Sequence, residues 1–215
     1  MPPPHQGPRR GPAAVGRGQR RGALAQPRGA LWTSPVTMKR TLYVIACAAP
    51  PARRLSVPIK AAQQAGWDVC LILTPSAHRW LTEDAEGEIE ALERLTGHPV
   101  RHQYKLPSQP DVLPPPDAML VAPLTNNTLA KWATAVSDTL ALGLITEGIA
   151  LVPIVALPHF NAAQAAHPAV ARHVEFLREA GVTVLLGEGG FTPHKPKHGD
   201  LDAYPWQSAI DALSA

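Results

Sequence analysis

The chain has only two cysteines, no long apolar run and, in its first forty residues, no acidic side chain. Cys47 and Cys70 cannot form a disulfide framework, which indicates a reducing compartment, and we expect a cytoplasmic protein. No stretch of about 18 uncharged apolar residues occurs, so we expect no membrane-spanning helix. The most apolar stretch, residues 140–160, is interrupted by Glu147 and by prolines and a histidine.

Basic residues are concentrated at the start of the chain. The first forty residues hold eight of the 20 basic side chains, so the remaining 175 residues carry 12 basic and 17 acidic side chains, a net charge of −5. The high pI, about 9.1, therefore belongs to this segment. It does not indicate a nucleic-acid partner for the rest of the chain.

Residues 1–37 are rich in proline, glycine and arginine and show almost no apolar periodicity. Such a segment cannot bury enough apolar surface to offset its chain entropy, so we expect it to be disordered. Two alternatives stay open. In the first, the segment is a basic arm that binds nucleic acid. In the second, the natural start is Met38, and the segment is an extension introduced by gene calling. In each case residues 38–215 form a single domain.

Short apolar runs alternate with amphipathic segments along the rest of the chain. The runs 41–46, 67–73, 118–122, 151–156 and 182–186 predict buried strands. The segments 50–65, 81–95, 127–144, 168–180 and 204–213 predict helices, the first kinked at Pro58. This alternation predicts a three-layer α/β fold, Rossmann-like or flavodoxin-like, with a parallel sheet of five or six strands.

Ligands of such folds bind at the carboxyl ends of the strands, beside helix N-termini. Four consecutive hydroxyl or amide side chains, residues 125–128, follow the third predicted strand, and Thr74 and Ser76 follow the second. These side chains could bind a phosphate or the polyol chain of a nucleotide-like ligand. Thr74 and Ser76 could equally be ordinary helix caps.

The same segments carry a resemblance to a known family. Residues 122–131 (APLTNNTLAK) and 135–140 (AVSDTL) resemble the A-P-x-S-A-N-T-x-A-K-I and G-x-x-D-N-L motifs of the homo-oligomeric flavin-containing cysteine decarboxylases, which include phosphopantothenoylcysteine decarboxylase. Residues 156–161 (ALPHFN) resemble the family's A-P-A-M-N motif, and residues 74–77 resemble its T-x-x-A. The similarity covers roughly residues 42–186 in one register.

The resemblance implies FMN as the cofactor, bound between the subunits of a trimer. It implies that Thr125, Asn127 and Thr128 hold the ribityl phosphate or the flavin edge. Thr74 and Ser76 would then lie on the phosphate side. It also implies that Asn161 contacts the carboxylate of the substrate.

The chain departs from the family at positions that carry chemistry. Ala48-Ala49 falls where the family has Gly-Ser on the FMN phosphate. Gln109 falls where the family has its catalytic histidine, and glutamine cannot exchange a proton near neutral pH. His102 could replace that histidine only if the loop is rearranged. Phe160 occupies the position of the methionine in the family's A-P-A-M-N motif. Residues 187–198 contain no counterpart of the flap cysteine that the pantothenoyl enzymes of the family have late in the chain.

The sequence is compatible with three functions. The first is an FMN-binding oxidoreductase or decarboxylase-like lyase that acts on a thiol- or carboxylate-bearing small molecule or peptide. The second is a transferase similar to prenyl-FMN synthases, which normally have a Gly-Ala-Ser-Gly type of first loop that this chain lacks. The third is a catalytically silent FMN-binding or regulatory domain.

Other residues carry weaker expectations. Trp132 and Trp206 are candidate anchors of a trimer interface or, equally, core residues. The pair His194-x3-His198 has a spacing that metals can use, but the surrounding segment favours a mobile flap hinged at glycines, and we expect no metal site. Cys47 and Cys70 are expected to be buried small hydrophobic residues rather than redox thiols.

Overall fold

The computed structural model describes residues 39–214. The expectations for residues 1–37 and for a start at Met38 lie outside these residues. The strands are β1 (Thr41–Ala46), β2 (Asp68–Leu73), β3 (Ala118–Leu124), β4 (Ile154–Pro158) and β5 (Thr183–Val184). They form one five-stranded sheet in the order β2-β1-β3-β4-β5, with every neighbouring pair parallel.

Helices cover both faces of this sheet, as the sequence predicts. The helical segments are a 3-10 helix (Pro50–Arg54), α1 (Ser56–Gln64), α2 (Pro75–Glu83), α3 (Glu88–Thr96), α4 (Asn126–Ala133), α5 (Leu140–Gly148), α6 (Ala162–Ala165), α7 (Pro168–Glu179) and α8 (Trp206–Ala212). Alternate residues of β1 enter two separate apolar clusters. Leu42 and Val44 pack under α1, α3 and α8, while Tyr43 and Ile45 pack under α4, α5 and α7. The α/β three-layer prediction is confirmed.

Three predicted helices are divided or shifted in the structure. The predicted helix 127–144 is two helices, because the chain turns at Ala135, whose φ is 59°, and because Thr139 caps a new helix by accepting a hydrogen bond from the Leu142 amide. The predicted helix 81–95 likewise breaks before Gly87, whose φ is 77°. Pro58 lies in the first turn of α1, where it breaks no helical hydrogen bond, so the predicted kink is absent.

Strand β4 begins three residues later than predicted. Leu151 and Val152 both donate backbone hydrogen bonds to the Gly148 carbonyl, so they form the turn that ends α5. Leu151 is consequently exposed, and the apolar run 151–156 spans the end of a helix and a strand.

Both tryptophans proposed as interface anchors are core residues of the subunit. Trp132 is 2% exposed, and its indole Nε1 donates to the Ile145 carbonyl at 3.1 Å. Trp206 is 6% exposed and packs edge-on against Tyr204. Neither side chain is available to a second subunit, so this part of the interface prediction is wrong.

Cys47 and Cys70 are buried at the sheet, as predicted. Burial raises the pKa of the Cys47 thiol, and burial followed by the Asp68 charge raises the pKa of Cys70 to about 12. Both are therefore neutral thiols at physiological pH. No helix among residues 39–214 has the length and hydrophobicity needed to cross a bilayer.

Candidate functional site

A pocket of about 1080 Å³ opens at the carboxyl edge of the sheet. The helices α2, α4 and α6 begin at this edge, directly after β2, β3 and β4. Their N-cap residues Thr74, Thr125 and Asn161 all line the pocket. Because a helix N-terminus presents unpaired N–H groups and a partial positive charge, the N-termini of α2 and α4 favour an anionic or carbonyl-bearing ligand here.

The structure brings all the site residues predicted from the sequence into this one pocket. The walls include Thr74 and Ser76 after β2, Thr125, Asn127 and Thr128 after β3, and Asn161 after β4.

The threonine hydroxyls are already engaged as helix caps. Thr74 Oγ1 accepts from the Ala77 amide at 3.3 Å, and Thr125 Oγ1 accepts from the Thr128 amide at 3.4 Å. Thr125 also donates to Thr128 Oγ1 at 3.2 Å. Helix capping thus explains the presence of Thr74, as the capping alternative expected, and it also explains Thr125. It leaves Ser76 and Asn127, both exposed to the pocket, without a side-chain partner among the described residues.

Asn126 is a pocket residue that the sequence argument did not single out. Its Oδ1 is buried and has no hydrogen-bond partner among residues 39–214. A buried, unpaired acceptor is costly unless a ligand or water satisfies it. Its position within the polar run 125–128 was the available signal, but its burial depends on the tertiary structure.

The amide of Asn161 has a defined orientation. Its side-chain Oδ1 accepts a hydrogen bond from the Gln164 backbone N–H at 2.9 Å. In return, the side-chain Oε1 of Gln164 accepts one from the Asn161 backbone N–H at 3.2 Å, and the two bonds form a capping box. Because Oδ1 is used by the cap, the side-chain NH₂ group is the part that can donate to a ligand. An NH₂ donor is suited to a carboxylate.

His159 forms the wall between this amide and an aromatic cluster. Its ring centroid lies 5.1 Å from Phe191, 5.4 Å from His194 and 5.5 Å from Tyr204. Tyr204 is itself fixed by donating to the Leu157 carbonyl at 2.7 Å. Burial, followed by the proximity of His194, lowers the pKa of His159 to about 4, so this ring is neutral at physiological pH.

The segment after β5 closes one side of the pocket. His194, Lys197, Gly199 and Leu201 line it, and the His194 carbonyl accepts from the Ala162 amide at 2.7 Å. The His194 ring donates through Nδ1 to the Lys195 carbonyl at 2.8 Å, and its Nε2 is buried without a partner among the described residues. The predicted flap therefore contributes residues to the pocket wall.

Gln109 and His102, the candidate positions for the family's histidine, lie outside this pocket. Gln109 is exposed, and its Oε1 accepts from the Leu106 amide at 2.9 Å. His102 stacks on His78 with ring centroids 3.5 Å apart. Burial, His78 and Arg101 lower its pKa. Neither side chain lines the pocket formed by residues 39–214.

The alanines of the first loop do line the pocket. Ala48, Ala49 and Pro50 form the wall after β1, and neither alanine can offer a side-chain donor. Lys131 of α4 also reaches the pocket, where it pairs with Asp138 at 2.5 Å. The positive charge of Lys131 is thus partly neutralised by Asp138.

Residues 39–203, most of the chain, match the family model described as Flavoprotein. The chain belongs to the Flavoprotein family. This confirms the resemblance noted in the sequence, and membership supports a flavin cofactor.

Related proteins and structures agree with this assignment. Over 69 residues the chain is 35% identical to the coenzyme A biosynthesis bifunctional protein CoaBC of Thermococcus kodakarensis, a match that covers 32% of this chain and 17% of that protein. Among solved structures, the FMN-dependent cysteine decarboxylase SpaF is similar with a TM-score of 0.56 and 23% identity, covering 83% of this chain and 98% of SpaF. The peptidyl-cysteine decarboxylase EpiD gives 0.62 and 17%, covering 83% and 100%. At these identities, the two structures establish the shared fold.

The pocket fits a flavin nucleotide in its chemistry. The backbone N–H groups of Ser76 in α2 and of Asn126 and Asn127 in α4 have no partner among the described residues and suit a phosphate or ring carbonyls. The unpaired Oδ1 of Asn126 suits an N–H or hydroxyl donor, which a flavin ring and a ribityl chain both provide.

Proposed function

We propose that the protein is an FMN-binding flavoprotein that acts as a decarboxylase-like lyase or oxidoreductase on a small molecule or peptide bearing a thiol and a carboxylate. One observation supports this most strongly. In a chain of the Flavoprotein family, Thr125, Asn127 and Thr128 at the start of α4 meet Thr74 and Ser76 at the start of α2 in a single pocket.

Each group of residues has a part in this proposal. Ser76 and the N-terminus of α2 hold the phosphate side, while Asn127, Thr128 and the N-terminus of α4 hold the ribityl chain or flavin edge. FMN supplies the redox chemistry when bound, and the chain supplies position and hydrogen bonds. Asn161 donates its NH₂ group to the substrate carboxylate, and Lys197 adds a positive charge to the same pocket.

We also propose that the protein self-associates, with a trimer as the expected assembly. The two tryptophans do not support this, but other apolar side chains do. Tyr104 is 56%, Leu106 64% and Val112 47% exposed, all in the loop that contains Gln109. Tyr104 Oη lies 3.5 Å from the Ser137 carbonyl, beside exposed Val136. Such surface favours burial against another subunit.

The catalytically silent alternative gains no specific support from the structure. The amide of Gln109 does not line the pocket formed by residues 39–214, whereas the imidazole of His159 does.

The site assignment is tested by titrating FMN into wild type and an Asn127→Ala, Thr128→Ala double variant. Loss of two contacts should weaken FMN binding by roughly a hundredfold. A Thr134→Ala variant, altered on the exposed C-terminal side of α4, is the matched control and should bind as wild type does. Equal affinity of the double variant and wild type would show that the site assignment is wrong.

A further inference from the structure

The pocket contains an imidazole that makes no hydrogen bond to another described residue. Apart from its own backbone, the ring of His159 makes no hydrogen bond to any of residues 39–214, and its backbone amide donates to the Leu124 carbonyl at 2.9 Å. The ring lines the pocket two residues before Asn161, the proposed contact of the substrate carboxylate. It is therefore placed to contact the part of a substrate adjacent to that carboxylate.

The ring has little freedom to turn away. Phe191, His194 and Tyr204 surround it at centroid distances of 5.1 to 5.5 Å, and Tyr204 is anchored to the Leu157 carbonyl. A ring held in this way loses little entropy when it binds a ligand.

The neighbouring histidine is less accessible. His194 uses Nδ1 on the Lys195 carbonyl, and its Nε2 faces Gly199 so closely that a Cβ at residue 199 would lie 2.8 Å away. A ligand would have to displace residue 199 to reach Nε2. His159 is consequently the imidazole that a ligand in the pocket meets first.

Phe160 provides an aromatic surface beside this imidazole. It is 2% exposed, lines the pocket, and lies edge-on to Phe191 with centroids 6.3 Å apart. Sulfur atoms make favourable contacts with aromatic rings. The pairing of a neutral nitrogen acceptor with an aromatic ring thus suits an S–H group.

We propose that His159 and Phe160 form the thiol-recognition subsite of this pocket. A ring nitrogen of His159 accepts a hydrogen bond from the substrate S–H, and Phe160 contacts the sulfur. Asn161, two residues further on, donates to the carboxylate of the same molecule. The assignment rests on the proposed function for its substrate class, and it gives this chain an imidazole at the substrate although position 109 is glutamine.

The test compares two probes that differ only in the thiol: N-acetylcysteine and N-acetyl-2-aminobutyrate, in which a methyl group replaces S–H. Binding is measured by calorimetry, with and without added FMN, on wild type, His159→Phe and His159→Gln. We expect wild type to prefer the thiol about tenfold, the effect of one hydrogen bond plus the sulfur contact. His159→Phe should reduce this preference to twofold or less while binding the methyl probe as wild type does. His159→Gln, which keeps an acceptor, should restore part of it.

His198→Ala is the control, because His198 belongs to the closing segment that carries His194 but is exposed and does not line the pocket. It should retain the full thiol preference. The inference is overturned if wild type binds both probes equally or binds neither, or if His159→Phe keeps the wild-type preference. A His194→Ala variant that loses the preference while His159→Phe keeps it would move the subsite to His194. A wild-type protein that fails to bind FMN would contradict the proposed function. The thiol preference measured without FMN would still test the role of His159.

Discussion

At the scale of single residues, protonation of His159 links the pocket to the stability of the fold. Burial and then His194 lower its folded pKa to about 4, whereas the unfolded value is about 6.5. Between these two pH values the unfolded chain binds more protons than the folded protein, so acid favours unfolding. The contribution of the neutral His159 ring to the stability of the fold is fully present above pH 6.5 and is lost as the pH falls towards 4.

We therefore predict that His159→Phe makes the protein less sensitive to acid. The free energy of unfolding of wild type should fall by roughly 1 kcal/mol more than that of the variant between pH 6.5 and 4, a figure reduced because part of the ring faces the pocket solvent. Urea denaturation at several pH values measures this difference. Parallel pH profiles for the two proteins would show that His159 titrates normally.

The sequence predicts some site residues and misses others for a physical reason. Thr125, Asn127 and Thr128 were predictable because polar residues after a buried strand fall at the ligand-binding edge of a parallel sheet. The environments of His159 and Asn126 were not predictable, because they are set by rings and backbone brought in from residues 191–204 and from the neighbouring strands. Local pattern carries no information on such contacts.

At the scale of elements, periodicity identified the strands and helices but not their breaks. The helix predicted over 127–144 kept its apolar spacing across residues 134–139, although Thr139 is a good N-cap and begins α5. The pattern places Pro58 in the middle of a helix because it does not separate the preceding 3-10 helix from α1. The Thr139 cap marks the start of α5, which the apolar spacing does not show, whereas the start of α1 has no side-chain cap.

The first loop offers a prediction at the same scale. Ala49 is the N-cap of the 3-10 helix, makes no side-chain capping bond, and lines the pocket. Ala49→Ser should tighten FMN binding about tenfold through a hydroxyl on the phosphate side, and it should raise the melting temperature slightly by capping. Fluorescence titration of FMN measures the affinity. Ala49→Gly, which adds no hydroxyl, should not tighten binding, and an equal gain in both variants would contradict the role of the hydroxyl.

At the scale of the whole molecule, the exposed apolar surface predicts an oligomer. The side chains of Tyr104, Leu106 and Val112 are costly to leave in water on a free subunit. We expect sedimentation velocity at micromolar concentration to give a trimer, and we expect Leu106→Lys to shift it towards the monomer. Val57→Lys, at an exposed residue of α1, is the control and should leave the assembly unchanged. A wild-type monomer of 22.9 kDa would contradict the proposal.

The central claim is that the pocket at the starts of α2 and α4 binds FMN. Titration of the purified protein with FMN and with riboflavin, followed by flavin fluorescence, tests it most directly. We predict saturable binding of about one FMN per chain, and riboflavin weaker by at least tenfold because it lacks the phosphate that the helix N-termini favour. If FMN fails to bind at hundreds of micromolar, or if riboflavin binds equally well, the account of this pocket is wrong.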